Sequence, residues 1–303
     1  MPAVSVVIVN YRTPRLTLLA VQSALSNDIS QVIVIDNDSR DESLELLRRV
    51  HDKRLQIIAN AVNAGFGQAA NRAATEASAP VILFLNSDAT LTASACQALM
   101  DEVDRYDGRC IAGPRLVGSD GQIQRSAGLL PMPSDLLIRG LGLHRLGRLL
   151  RRTPVVGSLI GGSAMAREYE TALRASDATD VSMVSGACFA IGRDAFQELG
   201  GFDERFFMYF EDADLCRRAS EAGVAIRFVP TVDVSHVGGA SSTGDYRFSP
   251  MNARSMRQYL EKWWGPPGRA LALVLLGIRL LGHALTLRPQ TRRALEAFRA
   301  ARR

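Results

Sequence analysis

Four short apolar runs, each ending at or running straight into Asn or Asp, dominate the first ninety residues: 4–9, 32–36, 55–59 and 80–86. They are rich in Val, Ile and Leu, as strands buried on both faces are. Between them lie 15–26, 41–50 and 66–77, with helical periodicity. Strand–helix alternation at this spacing predicts βαβ units and a mostly parallel central sheet with helices on both faces. In such sheets ligands bind beyond the carboxyl ends of the strands. The polar residues there are Asn10 and Tyr11, then Asp36, Asn37 and Asp38, then Asn60 and Asn63, and finally Asn86, Ser87 and Asp88. Turn chemistry explains any one of these groups alone. Four strand ends opening onto Asn or Asp along one edge point to a site.

A second concentration of chemistry lies at 206–218, FFMYFEDADLCRR. Glu211, Asp212 and Asp214 follow the aromatic residues Phe206, Phe207, Tyr209 and Phe210. Carboxylates beside an apolar pocket can be raised toward neutral pKa and strip a proton from a hydroxyl. Acidic residues also favour the first turn of a helix, so this segment alone leaves capping and catalysis open. Asp88 at a strand terminus suits Mg²⁺ or Mn²⁺, but equally a turn before a helix that starts near Thr92. The glycines of 63–71, NAGFGQAAN, permit close backbone approach ahead of a helix N-terminus, which favours phosphate. This is neither a Walker motif nor a dinucleotide fingerprint. His236, after a strand-like 226–229 and before Gly238–Gly239, is either structural or a ligand.

Charge is placed unevenly. Residues 265–303 hold eight arginines against one acid, Glu296, whereas the whole chain is only +5. The body is therefore close to neutral, which argues against a general nucleic-acid binder. The basic tail suits an anionic surface. Lys53 and Lys262 are the only lysines. Four scattered cysteines without a CxxC pair indicate neither a zinc site nor a disulfide framework, hence a reducing compartment. No secretory signal is expected from the first residues. Residues 134–152 carry leucines on one helical face and arginines on another, a pattern for a membrane surface or for packing on the parent domain. Residues 157–179 read as a loop. Pro266–Pro267 marks a break before the apolar stretch 270–287, where Arg279 makes a full membrane span unlikely and an interfacial or packed helix the expectation.

Taken in order, VSVVIVNYRT, VIDNDS, NAGFGQAAN, LNSD, VSGAC, the carboxylate segment 200–218 and the late His236 resemble the inverting family 2 glycosyltransferases of the GT-A fold, in particular the bacterial rhamnosyltransferase-like branch. The resemblance runs from about Val4 to His236. It implies a GT-A domain over 1–240 with an irregular acceptor- or membrane-facing insertion at 131–180, and a helical, basic, membrane-associated region over 241–303. It implies that Asn10, Tyr11 and Asp36 line the nucleoside pocket, that Asn63, Asn71, Ser185 and Gly186 shape the donor site, and that Asp88 and His236 bind a divalent cation, Mg²⁺ or Mn²⁺. Asp212 matches the catalytic base, with Glu211 and Asp214 in support. Asn86 stands where the family's DxD has its first Asp, leaving one formal charge fewer for the metal. The implied reaction is transfer of L-rhamnose from dTDP-L-rhamnose to a polyprenyl-diphosphate-linked cell-surface glycan, by an enzyme peripheral on the cytoplasmic face of the inner membrane. The alternatives are a UDP-galactose or UDP-N-acetylglucosamine donor and a non-catalytic sugar- or membrane-binding relative. A nucleotidyltransferase is less compatible, because no Gly-rich basic triphosphate loop lies near the N-terminus.

Overall fold

The computed structural model describes residues 3–133, 171–240, 249–285 and 291–302. Its first half follows the alternation: β1 (Val4–Asn10), α1 (Pro14–Leu25), β2 (Gln31–Asp36), α2 (Ser43–Arg48), β3 (Leu55–Ala59), α3 (Phe66–Ala74) and β4 (Val81–Asn86). α2 is shorter than 41–50 because Asp41 accepts the Ser43 amide proton (2.9 Å) and forms a turn outside the helix. Then come β5 (Ala89–Thr90), α4 (Ala93–Arg105), β6 (Cys110–Val117), β7 (Ile123–Gln124) and β8 (Ala127–Gly128). α4 starts where expected, capped by the Thr92 side chain on the Ala95 amide. After the gap follow β9 (Thr179–Asp180), β10 (Met183–Val184), β11 (Cys188–Gly192), α5 (Arg193–Glu198), α6 (Glu211–Glu221), β12 (Ala225–His236), α7 (Pro250–Leu285) and α8 (Thr291–Arg302).

The main path of the sheet runs β3-β2-β1-β4-β11-β6-β12-β5. The pairs among β1 to β4 are parallel, as is β6 with β12. β11 runs antiparallel to both β4 and β6, so the sheet is mixed beyond β4. Side chains alternate across it with period two. Val4, Val6 and Ile8 face a core completed by Ala20, Val21, Leu99 and Val103 of α1 and α4. Val7, Ile33 and Ile35 face the other, completed by α3, α5 and α6.

The basic amphipathic stretch 134–152 lies outside the described residues, as does most of the expected loop at 157–179. Within its described part, 171–173 form a helical turn, and β9 pairs antiparallel with Arg227–Phe228 of β12. The break expected at Pro266–Pro267 is a kink at Gly265 (φ 64°) that divides α7 into two arms. The prolines occupy the first turn of the second arm, where a missing N–H loses nothing. α8 packs back on α7 through Phe298 and Ala301 against Ala272, Leu275 and Leu276.

Phe202 is 1% exposed at the centre of an aromatic cluster. Its ring centroid lies 5.3 Å from Phe84 and 5.5 Å from both Phe66 and Phe196. This seats the turn that leads into the carboxylate segment. Phe202→Ala is expected to destabilise the fold by about 3–5 kcal/mol, read as a lowered denaturation midpoint in urea.

Candidate active site

The carboxyl ends of β1, β2, β4 and β6 lie on one edge of the sheet. Because β11 is reversed, its entry loop, Ser185–Ala187, arrives at that same edge, and the Asn86 amide donates to the Ala187 carbonyl (2.8 Å). A cavity of about 870 Å³ opens there. Among the residues that the sequence singled out, Tyr11, Asn63, Asp88, Ser185, Gly186, Glu211, Asp212 and His236 line it.

Asn10, Asp36, Asn71 and Asp214 are not in its wall. Asn10 and Asp36 are register partners on adjacent strands and point together into the interior. The Asn10 amide donates to Asp36 Oδ2 (2.6 Å) and to Ser39 Oγ (3.1 Å), and its carbonyl accepts from Thr17 (2.6 Å). Asn71 instead braces the turn at 201–202, donating to the Phe202 carbonyl and accepting from the Phe202 amide, each at 2.8 Å. Asn37, which the sequence placed among the polar strand ends without a role of its own, lines the cavity and organises the β3–α3 loop. It donates to Asn63 Oδ1 (2.9 Å) and accepts from Asn60 (2.9 Å) and the Ala64 amide (3.1 Å). Its place in the run of polar strand ends was the available signal.

At the far end of β12, His236 Nε2 lies 3.3 Å from Asp88 Oδ1. Gln124 donates from Nε2 to the His236 carbonyl (2.8 Å), so its Oε1 accepts from His236 Nδ1 (2.7 Å). That pairing holds the ring with Nε2 turned to Asp88 and Asn86, the orientation a metal-binding imidazole needs. Burial opposes the Asp88 charge, but His236 and the Ala240 amide outweigh it and hold the carboxyl below its usual range. One oxygen and one nitrogen donor fit a hard divalent cation. Among the described residues no cluster of three or more His, Cys, Asp or Glu side chains forms, so the protein would supply only part of the coordination. Phosphate oxygens and water commonly complete such shells. Gln124 was not legible as part of this pair, because it lies 112 residues from His236 in sequence.

The opposite wall is the start of α6. Asp212 Oδ2 accepts from the Gly186 amide (3.0 Å) and Oδ1 from its neighbour Ala213 (2.8 Å). A Cβ on Gly186 would press to 3.2 Å from Asp212 Cβ, so the glycine lets the strand loop approach the carboxylate. Burial raises the Asp212 pKa, and these two amides restrain the rise. Glu211 is 8% exposed, and its Oε2 has no hydrogen-bond partner among the described residues. Burial, reinforced by the charge of Asp212, pushes it up to about 8. Tyr209 and Phe210, the two residues before the helix, both have positive φ (71° and 69°), a conformation that strains non-glycine residues by about 1–2 kcal/mol each. The corner turns Glu211 and Asp212 into the cavity. Asp214, two residues on, turns away. It is fully buried and receives Arg218 Nε (2.8 Å), Trp263 Nε1 (3.0 Å) and Lys262 Nζ (2.6 Å).

The profile described as "Glycosyl transferase family 2" matches residues 5–200, and a second, "Glycosyl transferase family group 2", matches 151–287. The chain belongs to glycosyl transferase family 2, in its rhamnosyltransferase branch. It is 31% identical over 282 residues to an N-acetylglucosaminyl-diphospho-decaprenol L-rhamnosyltransferase of Mycobacterium tuberculosis, covering 87% of this chain and 85% of that protein. It is 25% identical to the O-antigen biosynthesis protein RfbC of Myxococcus xanthus, across 88% of this chain but 20% of that one. Among solved structures, GalNAc-T7 with UDP, GalNAc and Mn²⁺ superposes with a TM-score of 0.61 at 18% identity, covering 88% of this chain and 49% of that one. S. aureus TarS 1–349 with UDP-GlcNAc gives 0.58 at 16%, covering 99% and 81%. At such identities these neighbours establish the GT-A fold.

Glu211 stays protonated in the folded protein up to about pH 8, whereas the ordinary value is 4.5. The stability this contributes is complete below about pH 4.5 and is lost as pH rises through about 8. Glu211→Gln is therefore expected to melt above the wild type at pH 9, by on the order of 1 kcal/mol or more, with the gap closing toward pH 5. Thermal melts across that range test it.

Proposed function

We propose that the protein is an inverting, cation-dependent glycosyltransferase. On this reading it moves L-rhamnose from dTDP-L-rhamnose to a glycan carried on a polyprenyl diphosphate. The observation that carries the reading is that Asp212 shares one cavity with the Asp88–His236 pair. The rhamnosyl donor and lipid-linked acceptor are supported by the name of the mycobacterial relative, which aligns over most of both chains.

Residues 1–240 form the catalytic body in this proposal and 241–303 a C-terminal helical region. Asp88 and His236 would hold the divalent cation, which supplies positive charge to offset the departing nucleoside diphosphate. Asp212 accepts the proton of the acceptor hydroxyl as that oxygen bonds to the anomeric carbon and the bond to the phosphate oxygen breaks. A single displacement inverts the stereocentre. The Gly186 amide keeps Asp212 aimed. Protonated Glu211 leaves the negative charge on Asp212 alone and can donate a hydrogen bond into the cavity. Tyr209 and Phe210 narrow access for water, which favours transfer over donor hydrolysis. No helix among the described residues is long and apolar enough to cross a membrane. The arginines of the tail and Val274, 54% exposed on the second arm of α7, support docking on an anionic membrane surface at the cytoplasmic face.

A panel of dTDP- and UDP-sugars with a lipid-linked acceptor, with Mn²⁺ and with chelator, tests the reading; release of dTDP from dTDP-L-rhamnose alone is the expected pattern, and a preference for a UDP-sugar would displace it. Asp212→Asn is expected to lower kcat by about 10²–10⁴-fold while nucleotide binding is kept. His236→Ala is expected to weaken Mn²⁺-dependent binding of dTDP measured by calorimetry, and to leave metal-free binding unchanged.

A further inference from the structure

We propose that Lys262 is a positioning residue for the wall that carries the base. Its ammonium bridges two carboxylates at the two ends of one segment: Asp203 Oδ2 at 2.8 Å and Asp214 Oδ1 at 2.6 Å. Between them lie Met208, Tyr209, Phe210, Glu211 and Asp212, all lining the cavity. The proposal rests on the reading of Asp212 as the base.

The segment needs such a tie. Tyr209 and Phe210 hold a strained backbone, and strain persists only where surrounding contacts outweigh it. The first arm of α7 supplies them. Ser255 Oγ donates to the Met208 carbonyl (2.8 Å), and the Tyr259 ring sits 5.3 Å from Phe210. Trp263 Nε1 donates to Asp214 (3.0 Å), and the Arg217 guanidinium stacks on Trp263 and Trp264, 4.1 and 4.5 Å from their centroids. Lys262 is the one group in this set that touches both ends. Burial opposes the Asp203 charge, but Arg205 and Lys262 outweigh it and hold that carboxyl well below its usual range.

The residue type fits the task. Lys and Arg together number 36 in this chain, and only two are lysine. A compact ammonium can sit between two carboxylates that arrive from different directions, whereas a planar guanidinium prefers one of them in a fork. Asp214 is in the first turn of α6, two residues beyond Asp212. Holding it sets the rotation of the helix and thereby the aim of Asp212 at the Gly186 amide.

The test measures kcat and donor KM for Lys262→Met and Lys262→Arg in the full chain, well below each melting temperature. The chain's only two tryptophans, Trp263 and Trp264, lie in the cluster and report its folding by fluorescence. For Lys262→Met the expected result is a fall in kcat of roughly 10²-fold with donor KM unchanged, and only partial recovery in Lys262→Arg, whose planar fork engages one of the two carboxylates. Lys262→Met combined with Asp214→Asn removes the buried charge that the single variant leaves to Arg218 alone. Stability returns in that double variant and kcat stays low if Lys262 positions the wall. Recovery of both, or a folded Lys262→Met with near-normal kcat, overturns the proposal. Asp212→Asn run alongside separates the two readings: near-normal turnover there removes the base assignment, whereas a dead Asp212→Asn beside a normal Lys262→Met removes only the role of Lys262.

Discussion

One reversed strand organises this molecule. β11 lies antiparallel between β4 and β6, while those two run parallel to one another. The edge where β4 and β6 end is therefore the edge where β11 begins. The reversal brings Ser185 and Gly186 beside Asn86 without a long crossover, and the Gly186 amide meets Asp212 there. Had β11 followed the parallel pattern, that loop would lie on the opposite edge, and the start of α6 would lack its anchor in the sheet.

Two kinds of contact then meet across the cavity. On one wall a strand terminus presents Asp88 beside His236, a pair of donors that suits a cation. On the other a strained corner presents Glu211 and Asp212 from a helix start in a drier setting. Burial pushes the carboxyls of both walls upward, and their partners decide the outcome. Hydrogen bonds and the neighbouring imidazole keep Asp88 charged, while the unpartnered position of Glu211 favours its neutral form.

The alternation of apolar runs and amphipathic segments made the first four strands legible, and the order of motifs pointed to residues on both sides of the cavity. Which of those residues face the cavity is a matter of geometry that the sequence does not print. Asn10 and Asp36 look equivalent to Asn86 and Asp88 in sequence. Successive strand residues point to opposite sides, however, and those two fall on the interior side. Asp214 looks equivalent to Asp212, but a separation of two along a helix puts it on a different face. Gln124 and Lys262 owe their places to contacts between elements far apart in the chain, which local periodicity does not encode. The antiparallel sense of β11 is likewise set by tertiary pairing.

The Phe66 amide donates to the Phe207 carbonyl (2.8 Å), and Gly65 lies so close to Phe207 that an added Cβ would come within 2.4 Å of that carbonyl oxygen. The β3–α3 loop and the segment leading into α6 are thus stitched backbone to backbone, with no side chain between them. Any side chain at position 65 would have to part that seam, so the residue type there fixes how closely the β3–α3 loop lies against the segment leading into α6.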